Sequence, residues 1–271
     1  MRSVSTTRPR PWQLAPLPQE SEAQLHERQD RAYFEEQITD SDDWWWRMGD
    51  APHSLEDMRV LDFGCGHGAL SVLACKRGAA SVTGIDLDRR RIDFARRHTA
   101  MHYPRLASRL RFIASDVGHL EEDGSYDVIL SKDAFEHVDD LKGTVAELRR
   151  LLKPGGRLMV GFSPLFYSPF GDHGRLAPKL PWLPALLPER LVLAMARKRH
   201  GKPIRSMADV GLNKLTPAQF RATFSTQDWE LTRLAYNRSR KRMMPVMNAL
   251  RRLPGMERWF TAGIYAVAVR R

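Results

Sequence analysis

Cysteine is nearly absent: Cys65 and Cys75 are the only two in 271 residues. They make no metal-ligand spacing, and a disulfide framework cannot be built from them, so a reducing, cytoplasmic setting is expected. No run of about 18 uninterrupted apolar residues occurs, so no spanning helix is expected. Met1–Gln19 carries Arg2, Arg8 and Arg10 but lacks the apolar stretch of a signal peptide. Acidic residues are scarce in the second part of the chain. Residues 163–271 hold 6 Asp/Glu against 20 Lys/Arg, whereas residues 1–162 hold 26 against 23. A basic half of that kind fits an anionic substrate, nucleic acid or an acidic membrane surface, or is simply a solvated basic face.

What is present is ordinary for a globular protein: 42% apolar and 28% charged residues suffice for a core without staples. Residues 1–20, rich in Pro, Ser and Thr, read as a disordered tail. Residues 21–57 read as an N-terminal helical cap, with a helix over 21–38. Trp44-Trp45-Trp46 follows, and three adjacent Trp cannot share one helical face, so one of them should leave the core. From residue 58 short apolar runs alternate with helical segments. Strands are expected at Arg59–Phe63, Ser81–Ile85, Leu110–Ala114, Tyr126–Ser131 and Arg157–Phe162. Helices are expected at Ala69–Arg77, Arg89–His98 and Leu141–Leu152. That alternation predicts an α/β, doubly wound, mostly parallel sheet with right-handed crossovers.

The stretch 163–228 breaks the rhythm with many prolines. It reads as a cap inserted between the fifth and sixth strands, with a helix over Leu191–Arg199. Residues 229–271 supply two more strands, Trp229–Tyr236 and Ala262–Val269, flanking a basic amphipathic helix, Met243–Leu253.

The strongest signal is Val60-Leu61-Asp62-Phe63-Gly64-Cys65-Gly66-His67-Gly68. Glycines there let the backbone turn tightly, and the loop opens onto a helix N-terminus that attracts a carboxylate. Asp62 can accept hydrogen bonds from a cationic amine. Asp86, followed by Leu87, ends the second strand where a ribose diol would bind. Asp116, followed by Val117, ends the third where an adenine amine would lie. A nicotinamide-dependent oxidoreductase would also use a glycine loop and a ribose acid, but its G-x-G-x-x-G spacing is not the one found.

With these residues, 58–162 resembles the class I, Rossmann-like S-adenosylmethionine (SAM) dependent methyltransferases. Asp62-x-Gly64-x-Gly66-x-Gly68 matches the family's glycine motif, Tyr126-Asp127-Val128-Ile129 its fourth-strand motif, and Leu152-Lys153-Pro154-Gly155-Gly156 its turn before strand five. The resemblance implies a seven-stranded sheet ending in an antiparallel pair. It implies SAM bound by Asp62, Gly64, Cys65, Gly66, Gly68, Asp86, Leu87, Asp116, Val117 and Ser131.

Methyl transfer is an in-line displacement, so candidate catalytic groups should follow strands four and five. Asp133, Glu136 and His137 are spaced to share one face if the turn is helical. His173, next to Asp172, follows strand five. This pattern is similar to the E-x-x-E-H motif of two metal-dependent O-methyltransferase groups, one of ubiquinone biosynthesis and one acting on small-RNA 2′-hydroxyls. It raises Asp133, Glu136, His137 and His173 as ligands for Mg²⁺ or Mn²⁺, or as acid/base groups without a metal. The expected function is O-methylation of a hydroxyl on a small-molecule, lipid-linked or glycan acceptor, with an anionic group on the acceptor and peripheral membrane contact through Leu180–Arg199 or Met243–Arg252 as further expectations. An RNA 2′-O-methyltransferase and a non-catalytic SAM-binding regulatory subunit are the alternatives.

Overall fold

The computed structural model describes residues 14–17, 19–49, 54–176, 180–201 and 203–271. In chain order the elements are α1 (Glu22–Met48), β1 (Arg59–Phe63), α2 (Ala69–Lys76), β2 (Ser81–Asp86), α3 (Arg89–His102), α4 (Pro104–Ala107), β3 (Leu110–Ala114), β4 (Tyr126–Lys132), α5 (Leu141–Leu151) and β5 (Leu152–Phe162). They continue with α6 (Leu183–Leu186), α7 (Glu189–His200), α8 (Pro217–Phe224), β6 (Trp229–Tyr236), α9 (Met244–Arg251), α10 (Glu257–Phe260) and β7 (Ile264–Arg270).

The strands form one seven-stranded sheet in the order β3-β2-β1-β4-β5-β7-β6. β1 to β5 are parallel, and β7 lies antiparallel to both β5 and β6. Parallel strands are apolar on both faces because helices cover both. Leu61, Ile85, Ile129 and Leu158 pack with Val145 and Leu148 of α5 and with Phe220 and Phe224 of α8. Their neighbours Val60, Val82, Val128 and Met159 pack on the opposite layer, with α1 and α2. The order reverses between β1 and β4. Such a switch point opens a crevice at the carboxyl ends of the strands, where open α/β sheets bind ligands.

The tail expected over 1–20 falls on residues 1–13 and 18, which lie outside the described residues. Residues nearer the helix are tied to it: Arg28 pairs with Glu20 at 2.8 Å and donates to the Ala15 carbonyl. A Ser21–Gln24 capping box starts α1. The helix does not stop near 38 but runs to Met48. Thr39 and Ser41 look like cap residues, yet their hydroxyls return to the carbonyls of Glu35 and Gln37. Burial of Trp44, Trp45 and Met48 against the sheet carries the helix past that polar stretch. Trp46 is the one that leaves the core, 40% exposed.

Trp44 also marks a constraint on β5. Its indole Nε1 donates to the Gly161 carbonyl at 3.0 Å, and a Cβ built on Gly161 would lie 2.3 Å from that nitrogen. Gly161→Ala is therefore expected to cost about 1–3 kcal/mol by overpacking, and Gly161→Val more. A urea denaturation midpoint unchanged in both variants would contradict this packing.

The Pro-Gly-Gly turn expected before the fifth strand lies inside it. Leu152 already pairs with Tyr126, and the next register pair is Arg157 with Val128, so residues 153–156 bulge out of the ladder.

Candidate active site

The glycine loop leaves β1 with Gly64 at φ +73°, Gly66 at +52° and Gly68 at +84°, a region that favours glycine. Two of them also permit close approach. A Cβ on Gly64 would come 2.6 Å from the Ala134 Cβ, and one on Gly68 would come 2.8 Å from the Phe112 ring. A Cβ on Gly66 would meet open space. The amides of Gly64 and Cys65 both donate to the Ile85 carbonyl, which holds the loop against β2. Cys65 turns its side chain inward among Ile92, Ala95 and Phe112, with its thiol 3.9 Å from the Gly66 carbonyl, and burial raises the thiol pKa.

The three strand-end acids differ in environment. Asp62 is buried, accepts the Ser71 hydroxyl at 2.6 Å, and is pushed up to about 7 by that burial. Asp86 receives the Gly66 amide at 2.9 Å on one oxygen and the Asp88 amide at 2.8 Å on the other. A carboxylate has about four acceptor sites, so Asp86 can still accept two hydroxyls while bracing the loop. Asp116 receives the Gly118 amide at 2.8 Å and opens a short 3₁₀ turn that starts at the buried Val117. Leu87, between Asp86 and Asp88, is 74% exposed. An apolar side chain held out at that place suits the flat face of an adenine.

One contribution to the loop was not foreseen. His67, inside the glycine motif, places Nε2 3.0 Å from Asp30 of α1, and Arg90 of α3 reaches the other Asp30 oxygen at 3.1 Å. Tyr33, one turn on from Asp30, packs its ring against His67 at 4.9 Å between centroids. Asp30 and Tyr33 lie in a stretch readable only as an amphipathic helix. Their spacing on one face was the available signal.

Across the crevice, β4 ends at Ser131 and Lys132. The Ser131 hydroxyl is buried without a hydrogen-bond partner. Lys132 is half-buried with its amine on the Gln37 amide oxygen, and desolvation lowers its pKa. Asp133 then takes φ +50°, which asparagine and aspartate tolerate better than most residues. Its carboxylate accepts the Ser163 amide at 3.1 Å, joining the ends of β4 and β5. The following turn, Phe135–His137, is a single 3₁₀ turn.

The expected shared helical face of Asp133, Glu136 and His137 is therefore not formed. Asp133 lies outside the turn in the left-handed region and points to Ser163. His137 directs Nδ1 to the Gly211 carbonyl. His173 directs Nε2 to the Pro164 carbonyl at 3.2 Å. Among the described residues no group of three or more His, Cys, Asp or Glu is placed to hold a metal ion. The residues present thus do not fit a resident Mg²⁺ or Mn²⁺.

Glu136 stands apart. It is 3% exposed, and neither carboxylate oxygen has a hydrogen-bond partner. Burial first, and the Asp133 carboxylate second, hold its pKa well above the usual range. His137 and His173 lie beside each other, ring centroids 5.6 Å apart, and burial lowers both to about 4. Both imidazoles are then neutral near pH 7. A ring nitrogen facing a carbonyl carries the proton, which leaves Nε2 of His137 and Nδ1 of His173 as acceptors.

The insertion supplies further groups. Asn213 donates to the carbonyls of Phe135 and Val138 at 2.7 and 2.8 Å, and its own amide donates to the Glu136 carbonyl at 3.0 Å. Arg175 donates to the carbonyls of Val210 and Gly211 at 2.9 Å and lowers the cost of charge on Glu136. These long-range clamps carry no local sequence signature.

Fold and site now define a Rossmann-like domain with a ligand crevice between a glycine loop and an acid-lined strand end, the architecture of class I SAM-dependent methyltransferases. Residues 54–164 match the model of a methyltransferase domain family, and the fold of this core is the one class I SAM-dependent methyltransferases have. The chain is similar to the ubiquinone biosynthesis O-methyltransferases of Leptothrix cholodnii (38% identity over 102 residues, 38% of this chain and 43% of that one) and Neisseria meningitidis serogroup C (32% over 145 residues, 48% and 60%). It thus spans about half the length of the curated relatives it matches. Solved structures share the fold. An S-adenosylmethionine-dependent methyltransferase from Mesorhizobium loti superposes with TM-score 0.58 at 18% identity, covering 86% of this chain and 100% of that one. Magnesium protoporphyrin IX methyltransferase from Synechocystis superposes with TM-score 0.52 at 17% identity, covering 90% and 84%.

Proposed function

We propose that the chain transfers a methyl group from SAM to a hydroxyl of a small-molecule acceptor. Bound SAM supplies an electrophilic methyl on its sulfonium. Asp62 would face its ammonium and Asp86 its ribose diol. Asp116, Val117 and Leu87 would enclose its adenine, and the amides of the Gly64–Gly68 loop would meet its carboxylate.

The observation that carries the oxygen-directed reading is Glu136. Leaving a carboxyl buried and unpartnered costs about 1–3 kcal/mol or more, and such strain persists where a ligand relieves it. An acceptor hydroxyl held there in line with the methyl would pass its proton to a neutral imidazole nitrogen of His137 or His173, or to the ionised fraction of Glu136, as its oxygen takes the methyl and the sulfonium leaves as a neutral thioether. Asp133 turns to the Ser163 amide, and His137 and His173 each spend one ring nitrogen on a backbone carbonyl, so these residues do not converge on one metal position. The relatives' names, ubiquinone biosynthesis O-methyltransferase, support transfer to oxygen.

The test is SAM turnover against pools of quinone-like phenols, lipids, glycans and RNA, with and without chelator. Turnover on a hydroxylated small molecule, unaffected by chelator, is expected. Turnover confined to RNA favours the 2′-O-methyltransferase reading. SAM binding with no turnover on any pool favours a regulatory subunit. Full activity in both Glu136→Ala and His173→Ala would sink the assignment of the reaction centre.

A further inference from the structure

Part of the excess basic charge of the second half of the chain lies between β6 and β7. β6 ends at Tyr236 and β7 begins at Ile264, and these two pair. Ile264 also pairs with Phe162, the last residue of β5, so the excursion 237–263 leaves the sheet at the same end as the candidate active site. Residues 237–261 hold seven Lys/Arg and one acid, Glu257. That acid is neutralised by Arg221 and Arg251 at 2.6 and 3.1 Å.

The excursion is two-sided. Met244 and Met247 of α9 are buried, and Arg251 lies over the Tyr236 ring at 4.1 Å. The outer side holds large apolar residues away from any core: Met243 is 49% exposed, Val246 60%, Leu253 51% and Met256 40%. Exposed basic residues, Arg240, Lys241, Arg242 and Arg252, alternate with them. Next to this face, Arg238 and Arg240 lie over the exposed ring of Trp46 at 5.4 and 4.7 Å. There Arg240, Lys241 and Ser239 join Trp46, Arg47 and Asp43 around a depression of about 320 Å³, in which the Asp43 carboxylate, 3.9 Å from Arg47, offsets one of the three cations. The insertion after β5 braces the excursion from behind, since the Trp182 indole donates to the Trp259 carbonyl at 2.9 Å.

We propose that this face docks on an anionic lipid bilayer. Apolar side chains held out on a helix and the turn after it, ringed by unpaired cations, match the interfacial zone of a membrane, where acyl chains meet charged headgroups. The aromatic depression with its cations has the chemistry of a phosphate-bearing headgroup site. RNA would complement the charge but not four exposed aliphatic and thioether side chains. Among the described residues no helix is long and apolar enough to cross a membrane, so the contact is a surface one.

The experiment is co-sedimentation of the full chain with vesicles of phosphatidylcholine alone and of phosphatidylcholine with phosphatidylglycerol. Pelleting is expected only with the anionic vesicles, and weaker at high salt. Val246→Glu with Leu253→Glu is expected to lower partitioning at least ten-fold. Arg240→Gln with Lys241→Gln should lower it about five-fold per residue, the equivalent of about 1 kcal/mol each. All four positions are solvent-facing, and unchanged thermal melting and SAM affinity in both variants would show intact folding. Equal pelleting with and without phosphatidylglycerol overturns the proposal. So does pelleting indifferent to the apolar pair, which would mean charge adsorption alone, or failure to pellet with either vesicle while RNA is retained.

Discussion

Glu136→Gln is expected to lower kcat by about 10²–10³-fold, the range of a positioned acid/base group, while the KM for SAM changes little. The same substitution should raise the melting temperature or leave it unchanged. An amide buried at that place has no ionisation to suppress, whereas the carboxyl is held neutral against its ordinary tendency by burial and by Asp133. Glu136→Leu should stabilise further, because it removes the unpartnered polar atoms altogether. Activity and stability then move in opposite directions, as expected of a strained functional group. A structural carboxyl would behave otherwise, and its loss would lower both. Steady-state kinetics with thermal melting on the two variants distinguishes the cases. A melting temperature that falls by several degrees with kcat retained would remove Glu136 from the reaction centre.

Much of this architecture was legible in the sequence, for physical reasons. Parallel strands buried on both faces are apolar runs, and glycines at alternate positions after such a run leave few backbone solutions. The loop follows from those constraints, and Asp62, Asp86 and Asp116 stand where the apolar runs stop; the terminal antiparallel pair is implied only by the resemblance to the class I methyltransferases. Residues whose role depends on distant partners were hidden. Asp133, Glu136 and His137 have the spacing of one helical face, but spacing fixes a face only if the backbone is helical, and the left-handed turn at Asp133 disperses them. The end of α1 was misread because Thr39 and Ser41 can either cap a helix or bond back into it, and burial of Trp44 and Trp45 decides which. Asn213 and Arg175 reach the β4 turn from an insertion far along the chain, and no local pattern announces such contacts.

Asp62 carries the second large effect, and its sign can be worked out. In the ligand-free protein burial raises its pKa to about 7, so the folded state holds this proton more tightly than the unfolded chain does. Its contribution to stability is complete below the ordinary carboxylate range and is lost as pH rises toward about 7. An ammonium group beside it favours the ionised form and shifts the balance the other way. SAM binding should therefore release a proton below pH 7, and affinity should rise up to about ten-fold per pH unit until it levels near 7. Asp62→Asn should weaken SAM binding by about 10²-fold or more, as for a buried charge left without its partner. The variant should also flatten the pH dependence and stabilise the ligand-free protein at alkaline pH. Calorimetric titration of SAM in buffers of different ionisation enthalpy reads the proton release directly. A wild-type affinity flat across that range, with no proton released, would mean that the ammonium does not lie on Asp62. The ligand would then have to sit higher in the crevice, on Asp86 and the glycine-loop amides alone.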